Sequence, residues 1–108
     1  MDPRARFDEI VDDLAARDPD VEVTQMMGRP SIKAGGKLIA CYESRGAMAF
    51  KLPDETEREK ALALEGAQTY DPAQTGRLMG GWVEVPATQH DEWPKLAETA
   101  LRLRKENA

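Results

Sequence analysis

Four short apolar segments between residues 21 and 52 alternate with glycine-containing turns, and this pattern restricts the fold more than any other feature. Residues 21–26 alternate apolar and polar side chains, as a half-buried strand does. Gly35-Gly36 is typical of a two-residue hairpin turn, because glycine readily adopts the positive φ that such turns require. Since consecutive strands joined by tight turns pair side by side, residues 21–52 predict an antiparallel meander.

The turns set the expected limits of these strands. Glycine and proline are the strongest local interruptions of regular structure. We therefore expect Gly28, Arg29 and Pro30 to separate the first two strands, and Arg45-Gly46 to form the last turn. The four predicted strands cover residues 21–26, 31–34, 37–42 and 47–52.

Helical patterns lie on both sides of the meander. Asp2 and Pro3 suit the N-cap and first position of a helix, and the apolar side chains that follow recur at helical spacing as far as Leu14. Residues 55–64 are rich in good helix formers, so they predict a second helix. A third helix is expected after Asp91, which is a plausible N-cap with Pro94 in the first turn.

Two further strands are expected between the second and third helices, at residues 68–70 and 82–85, with a loop over residues 71–81. The predicted order is therefore α-β-β-β-β-α-β-β-α. This order predicts one α+β domain over residues 1–108, in which an antiparallel sheet packs against helices in two layers. The opposite face of such a sheet needs cover from a ligand, a partner protein or a second copy.

Charge and cysteine content narrow the classes of function. Fifteen Lys and Arg face 20 Asp and Glu, and the formal charge of −5 argues against broad phosphate binding. A nucleic-acid role would therefore need a local basic patch. Cys41 is the one cysteine, so the sequence predicts neither an intrachain disulfide nor a bound metal or cofactor. The charged start and the lack of long apolar runs favour a cytoplasmic protein that binds no membrane.

Two stretches of the chain are familiar when taken together. The first combines residues 26–31, 35–40 and 48–52, and the second combines residues 76–86 with a Trp-Pro-Lys-Leu-Ala helix at 93–97. Together they resemble the TfoX (Sxy) N-terminal domains and, more remotely, the MmcQ/YjbR proteins. The resemblance covers nearly the whole chain and implies a two-layer arrangement similar to secretion-chaperone-like folds. The family names are attached to regulation of natural competence and, for MmcQ/YjbR, to DNA binding.

The sequence offers no recognisable catalytic set. A general base needs a nucleophile and an orienting partner within reach. His90, in a Thr-Gln-His-Asp turn, is expected to be a solvated capping residue. Cys41 lies within a predicted strand, where cysteine usually behaves as a small buried hydrophobe. We therefore predict that the chain is not an enzyme.

Basic side chains beside turns and at strand ends are the best candidates for ligand binding, because a rigid scaffold presents them there. They are Arg29, Lys33, Lys51 and Arg77. If the sheet brings Arg29 and Arg77 together, the pair would hold an anion in fork geometry, and the alternative is pairing with acidic side chains. Trp82 joins the candidates because Gly80-Gly81 before it permits a bulge or the close approach of another backbone.

Four methionines are candidates either for the hydrophobic core or for an apolar surface. Met26, Met27, Met48 and Met79 would either fill the core, which is the expected role, or line an adaptable apolar surface. Taken together, the sequence predicts a non-enzymatic binding or protein-interaction domain, with a homodimer through the sheet as one form. The alternative is a small module for anionic ligands or nucleic acid that uses Arg29, Lys51 and Arg77.

Overall fold

A computed structural model describes residues 2–107. Its helices are α1 (Pro3–Arg17), α2 (Glu55–Leu62) and α3 (Trp93–Glu106). Its strands are β1 (Val21–Met26), β2 (Arg29–Ala34), β3 (Lys37–Glu43), β4 (Ala47–Lys51), β5 (Gln68–Tyr70) and β6 (Met79–Pro86). The predicted order is confirmed, with one addition, a 3₁₀ turn at Ala87–Gln89 between β6 and α3.

The strands of residues 2–107 form one six-stranded antiparallel sheet in the order β1-β2-β3-β4-β6-β5. β1 to β4 make the predicted meander, each strand pairing with the next. β6 then lies between β4 and β5, so its two neighbours come from different parts of the chain. The predicted α+β class with an antiparallel sheet is therefore confirmed.

The helix starts show how local sequence fixes the ends of these elements. Asp2 caps α1, and its side chain accepts a hydrogen bond from the Arg4 amide at 3.2 Å, as predicted. α3 begins at Trp93, so the expectation that Asp91 caps it is wrong. Turns fill the residues before Trp93, and Asp91 pairs instead with Arg6 at 2.8 Å. No helix within residues 2–107 is long and apolar enough to cross a bilayer.

The main core lies between the helices and one face of the sheet, which we call the helical face. Buried side chains from α1, α2 and α3 meet strand residues of alternating position, as the pleat requires. The largest of them are Phe7, Leu14 and Trp93 from the helices, and Ile32, Ile39, Met48, Phe50, Val83 and Val85 from the strands. Each large side chain that is fully buried contributes about 1.5–3 kcal/mol, so this layer stabilises the fold.

The turn between β1 and β2 is shorter than predicted. Met27 and Gly28 form it, with φ values of +52° and +81°. Arg29 and Pro30 already belong to β2, where they pair with Met26 and Gln25. The expected break at Arg29 and Pro30 is therefore wrong, because Met27 takes the left-handed conformation that usually requires glycine or asparagine.

β6 is longer than predicted and contains a bulge. It begins at Met79, and Gly81 lies inside it with a φ of +89°. The register of β5 against β6 shifts between Thr69 and Tyr70, as a bulge requires. The Leu52 amide also donates to the Gly81 carbonyl at 2.7 Å, which extends the pairing of β4 with β6. A Cβ at Gly80 or Gly81 would meet no atom within 4 Å, so the expected close approach of another backbone is not found. α2, in contrast, ends two residues earlier than predicted.

Candidate functional site on the outer face of the sheet

The face of the sheet opposite the helical face, which we call the outer face, carries its own buried cluster. Cys41, Ala49, Tyr70 and Trp82 form this outer cluster, and all four come from strands. On β4 and β6 they alternate with helical-face residues, so the two clusters lie on opposite sides of the sheet. The outer face is therefore partly buried without contribution from a helix to this cluster.

A loop folds over part of the outer face. The small side chain of Ala49 leaves room for the rings of Tyr70 and Trp82, whose centroids lie 5.9 Å apart. After β5 the chain turns at Asp71, whose carboxylate accepts hydrogen bonds from the amides of residues 75 and 76. The carbonyl of Pro72 then accepts a hydrogen bond of 2.9 Å from Arg29 on β2. The loop over residues 71–78 is thus tied back across the sheet.

Glu43 is the centre of a charged network on this face. It is only 3% exposed, and it accepts a hydrogen bond from the hydroxyl of Tyr70. Its carboxylate also lies 2.7 Å from the Arg29 Nε and 3.3 Å from the Arg45 Nη1. The Arg29 Nε–H makes no hydrogen bond of good geometry, so that contact is an ion pair held by charge.

Arg45 extends the network to a second buried carboxylate. Its guanidinium bonds Glu84, which is 7% exposed, through two nitrogens. The hydrogen bond that Arg45 donates to Glu84 raises the pKa of Arg45 above its ordinary value, so Arg45 stays charged. Two arginines therefore balance two buried glutamates. Pairing with acidic residues, the alternative expected for Arg29, is what the structure shows.

Between the sheet and the loop lies a cavity of about 90 Å³, which we call the outer cavity. Its walls include the side chains of Met26, Met27, Cys41, Met79, Tyr70 and Trp82. Of the four methionines weighed from the sequence, Met48 alone fills the core. The other three line this cavity, so the expectation of core filling is wrong for them. The cause is the turn at Met27 and the early start of β6, which the sequence pattern did not reveal.

The structure brings together only two of the five residues that the sequence suggested for ligand binding. Arg29 and Trp82 both line the outer cavity. Lys51 lies opposite Trp82 in the β4–β6 register, but it lines a different cavity beside Arg104. Arg77 is exposed on the loop and lines neither of the cavities to which Arg29 contributes. Neither of these two cavities contains both Arg29 and Arg77, and the forked anion site of that pair stays a prediction.

Sequence reasoning missed Arg4, which lies near Arg29 instead. Both side chains line a second cavity of about 390 Å³, together with Tyr42, Glu43 and residues of the two adjoining turns. The Arg4 guanidinium lies 5.9 Å from the ring centroid of Tyr42. One feature of the sequence could have drawn attention to Arg4, namely its position in the first turn of α1, which contains no acidic residue. The Arg4 Nε also pairs with Asp8 on the same helix at 3.1 Å, as oppositely charged side chains four residues apart do.

Cys41 and His90 occupy positions that do not activate them. The Cys41 thiol lies 3.4 Å from the Tyr70 hydroxyl, and burial, with the nearby charge of Glu43, raises its pKa to about 12. The thiol is therefore protonated at neutral pH and is a poor nucleophile. His90 ends the 3₁₀ turn through its backbone amide, but its ring is half-buried and not solvated as expected, and its Nδ1 accepts a hydrogen bond from Arg6 at 3.3 Å.

The residues that the structure describes show no cluster of the usual metal ligands. Within residues 2–107, no three His, Cys, Asp or Glu side chains are grouped so that they could hold a metal ion. Comparisons with protein-family models, with curated proteins and with solved structures give no match. The resemblance to TfoX N-terminal domains therefore stays a prediction from the sequence.

Proposed function

We propose that the chain is a non-enzymatic binding domain that acts through the outer face, where a second copy of the same chain binds. The observation that carries this proposal is a group of exposed apolar side chains beside the outer cavity. Met26 and Met27 line this cavity and are 43% and 87% exposed, and Leu78, which precedes the lining residue Met79 in the chain, is 62% exposed. Grouped apolar side chains at a surface mark interaction sites, and methionine suits adaptable interfaces.

Met27 adds a second argument for this surface. It is the most exposed of these side chains, and its backbone has a φ of +52°. A non-glycine residue in this conformation costs about 1 kcal/mol or more, and such strain is concentrated at functional sites. Glycine or asparagine would form the same turn without that cost. A binding role for the Met27 side chain accounts for both unfavourable features.

The charge of the outer face favours a second copy as the partner. The chain carries a formal charge of −5, so two copies repel each other over most of their surfaces. On the outer face, however, Arg29 and Arg45 neutralise Glu43 and Glu84 within one chain. Two such faces can therefore meet around a two-fold axis without like-charge repulsion.

Size-exclusion chromatography with light scattering tests the homodimer. We expect a dimer for the unchanged chain and a monomer for Met27→Glu, because the substitution places a charge in the apolar contact. Val23→Glu is the matched control, since Val23 is also exposed but lies two residues after the helical-face residue Val21. A chain that stays monomeric at high concentration would contradict the proposal, as would equal effects of the two substitutions.

A second candidate function is the binding of a small anion, and the cavity shared by Arg4 and Arg29 favours it. Arginine guanidinium groups suit carboxylate and phosphate ligands. The test is a titration with inorganic phosphate, nucleotides and short DNA at several salt concentrations. Binding that Arg4→Gln weakens and Arg77→Gln leaves unchanged supports this cavity. The reverse result supports the loop residue Arg77 that the sequence suggested, and no binding to any probe excludes the function.

Membership of the TfoX N-terminal group is a further part of the proposal. Its support is that the motif residues form the structure's own turns and strands, namely the Met27-Gly28 turn, the Gly35-Gly36 turn and β6. Superposition on an experimental structure of such a domain tests it, and a different strand order would contradict it. We also propose a cytoplasmic location, which the free thiol of Cys41 supports.

A further inference from the structure

Sulfur atoms are concentrated at the outer cavity. Three methionines, Met26, Met27 and Met79, line it together with Cys41. The whole sequence contains five methionines and one cysteine, so most of its sulfur belongs to this one place. Core packing does not explain the group, because Met26 and Met27 are largely exposed at the rim.

The size of the outer cavity restricts what it can hold. Its volume of about 90 Å³ is well below the roughly 300–1,000 Å³ of sites for drug-sized ligands. A single ion or one small side chain fits such a space. The side chains that line the cavity then determine which ion it can bind.

The lining of the cavity is chemically soft. Thioether and thiolate sulfur suit Cu(I), Zn²⁺ and iron–sulfur clusters, whereas Mg²⁺ and Ca²⁺ need oxygen ligands. Zinc and cluster sites use several cysteine thiolates or histidines, and this cavity offers one cysteine, no histidine and three methionines, which favours Cu(I). Across residues 2–107, no group of His, Cys, Asp and Glu offers a site to harder ions. Tyr70 and Trp82 add two aromatic side chains to the walls, and aromatic faces attract a cation.

We propose that the outer cavity binds a soft monovalent cation, Cu(I), through the thioethers of Met26, Met27 and Met79, with Cys41 as a fourth sulfur ligand. The proposal deepens the binding function proposed above by naming a ligand for the same face. It does not require the second copy of the chain, so the two proposals can fail separately.

The charges around the cavity are compatible with a cation. Arg29 lines the cavity, but the buried carboxylate of Glu43 lies 2.7 Å from its Nε and neutralises it. When Cys41 binds as a thiolate, a copper–sulfur bond replaces the S–H bond and the proton passes to the buffer, with no change of oxidation state.

Competition for Cu(I) against a chromogenic chelator, under anaerobic and reducing conditions, tests the proposal on the full chain. We expect one ion per chain, and a loss of affinity of about tenfold or more in Met26→Leu and Met79→Leu. Leucine has nearly the volume of methionine, so these variants should keep the fold. Met48→Leu is the matched control, because Met48 is buried on the helical face, and its affinity should be unchanged. Ag(I) serves as a probe of the same site that undergoes no redox chemistry.

Three results would overturn the copper site. The first is that the unchanged chain does not remove Cu(I) from the chelator. The second is that Met79→Leu and Met48→Leu bind Cu(I) with equal affinity. The third is that only Cys41→Ser abolishes binding. If copper fails to bind while Met79→Leu weakens the dimer, the cavity holds an apolar side chain of the partner copy instead. If copper binds to a chain that is strictly monomeric, the dimer is wrong and the metal site stands.

Discussion

Glu43 connects the charged and aromatic parts of the outer face. Its carboxylate contacts Arg29 and Arg45 and accepts the hydrogen bond of Tyr70, all within a few ångströms of the outer cluster. Removing one member of a buried ion pair is costly, because the remaining charge loses its partner without regaining water. The two arginine side chains are 25% and 32% exposed, so water recovers part of that loss.

We therefore expect Glu43→Gln to lower the free energy of unfolding by about 2 kcal/mol, measured by urea denaturation. Glu59→Gln is the control, since Glu59 is exposed on α2 and should change stability by less than about 0.5 kcal/mol. Equal stabilities of the two variants would show that the Glu43 network contributes nothing to the fold.

Cys41 gives a second prediction for a single residue. Because burial raises the pKa of its thiol to about 12, the thiolate that reacts with alkylating agents is scarce at neutral pH. We expect iodoacetamide to modify the folded chain at least about a hundredfold more slowly than the chain in urea. Mass spectrometry over time measures both rates. Rapid modification of the folded chain would place the thiol at the surface.

Among the elements, β6 contains a direct comparison of two adjacent glycines. A Cβ added at Gly80 or at Gly81 would meet no atom within 4 Å, yet only Gly81 has a positive φ, of +89°. A substitution at Gly81 therefore tests backbone conformation alone. We expect Gly81→Ala to lower the free energy of unfolding by about 1–2 kcal/mol and Gly80→Ala to change it much less. Equal effects in urea denaturation would contradict the bulge.

The end of α1 is joined to the end of α3 by charge, and this contact predicts a response to acid. Asp18 accepts a hydrogen bond from the Asp20 amide at 2.9 Å, and Lys105 Nζ lies 3.0 Å from its carboxylate. These contacts lower the pKa of Asp18, the backbone hydrogen bond contributing most. The folded state thus favours the charged carboxylate, so its stabilising contribution is present above the ordinary pKa of aspartate and is lost as pH falls below it.

Asp18→Asn removes that titration, and its stability should therefore fall less steeply with acid than that of the unchanged chain. Thermal unfolding between pH 7 and about pH 3 measures the two slopes. Asp12→Asn is a suitable control, because Asp12 is exposed on the same helix. Parallel curves for all three chains would mean that the contact between Asp18 and Lys105 does not persist in solution.

For the whole molecule, local patterns predicted the order of elements well. Strand alternation, Gly35-Gly36 and the Asp2 cap all act within a few residues, so they can be read from the sequence. The turn at Met27 could not be predicted, because a methionine there goes against turn preferences. Nothing local indicated that β6 would lie between β4 and β5, since that pairing depends on contacts far apart in the chain.

The candidate site was less predictable than the fold. Arg29 and Trp82 were chosen for their place beside turns, and both line the outer cavity. Arg77 was chosen on the same grounds, but it is exposed on the loop and does not line that cavity. Arg4 was overlooked because its proximity to Arg29 depends on how α1 packs beside the β1–β2 turn. Convergence of side chains is a property of tertiary structure, and no spacing in the sequence encodes it.

The pairing of β6 with β4, a strand distant in the sequence, also predicts the order in which the strands fold. Neighbouring strands of the meander close first, because short loops lose little entropy, and β6 joins later. We expect Ile39→Val in β3 to slow folding, and Val83→Ala in β6 mainly to speed unfolding, as measured by stopped-flow chevrons. Both side chains are buried on the helical face, which makes them comparable. A slower folding rate for Val83→Ala, with an unchanged unfolding rate, would contradict this order.

During synthesis on the ribosome, β4 emerges before β6, one of the two strands with which it pairs. Until β6 has emerged, the backbone of Ala47–Lys51 has one unpaired edge, and Met48 and Phe50 lack part of their cover. Translation at about 5–20 residues per second prolongs that exposure for seconds. An open strand edge beside apolar side chains is the usual start of aggregation, so the nascent chain depends on chaperones most just before its sixth strand appears.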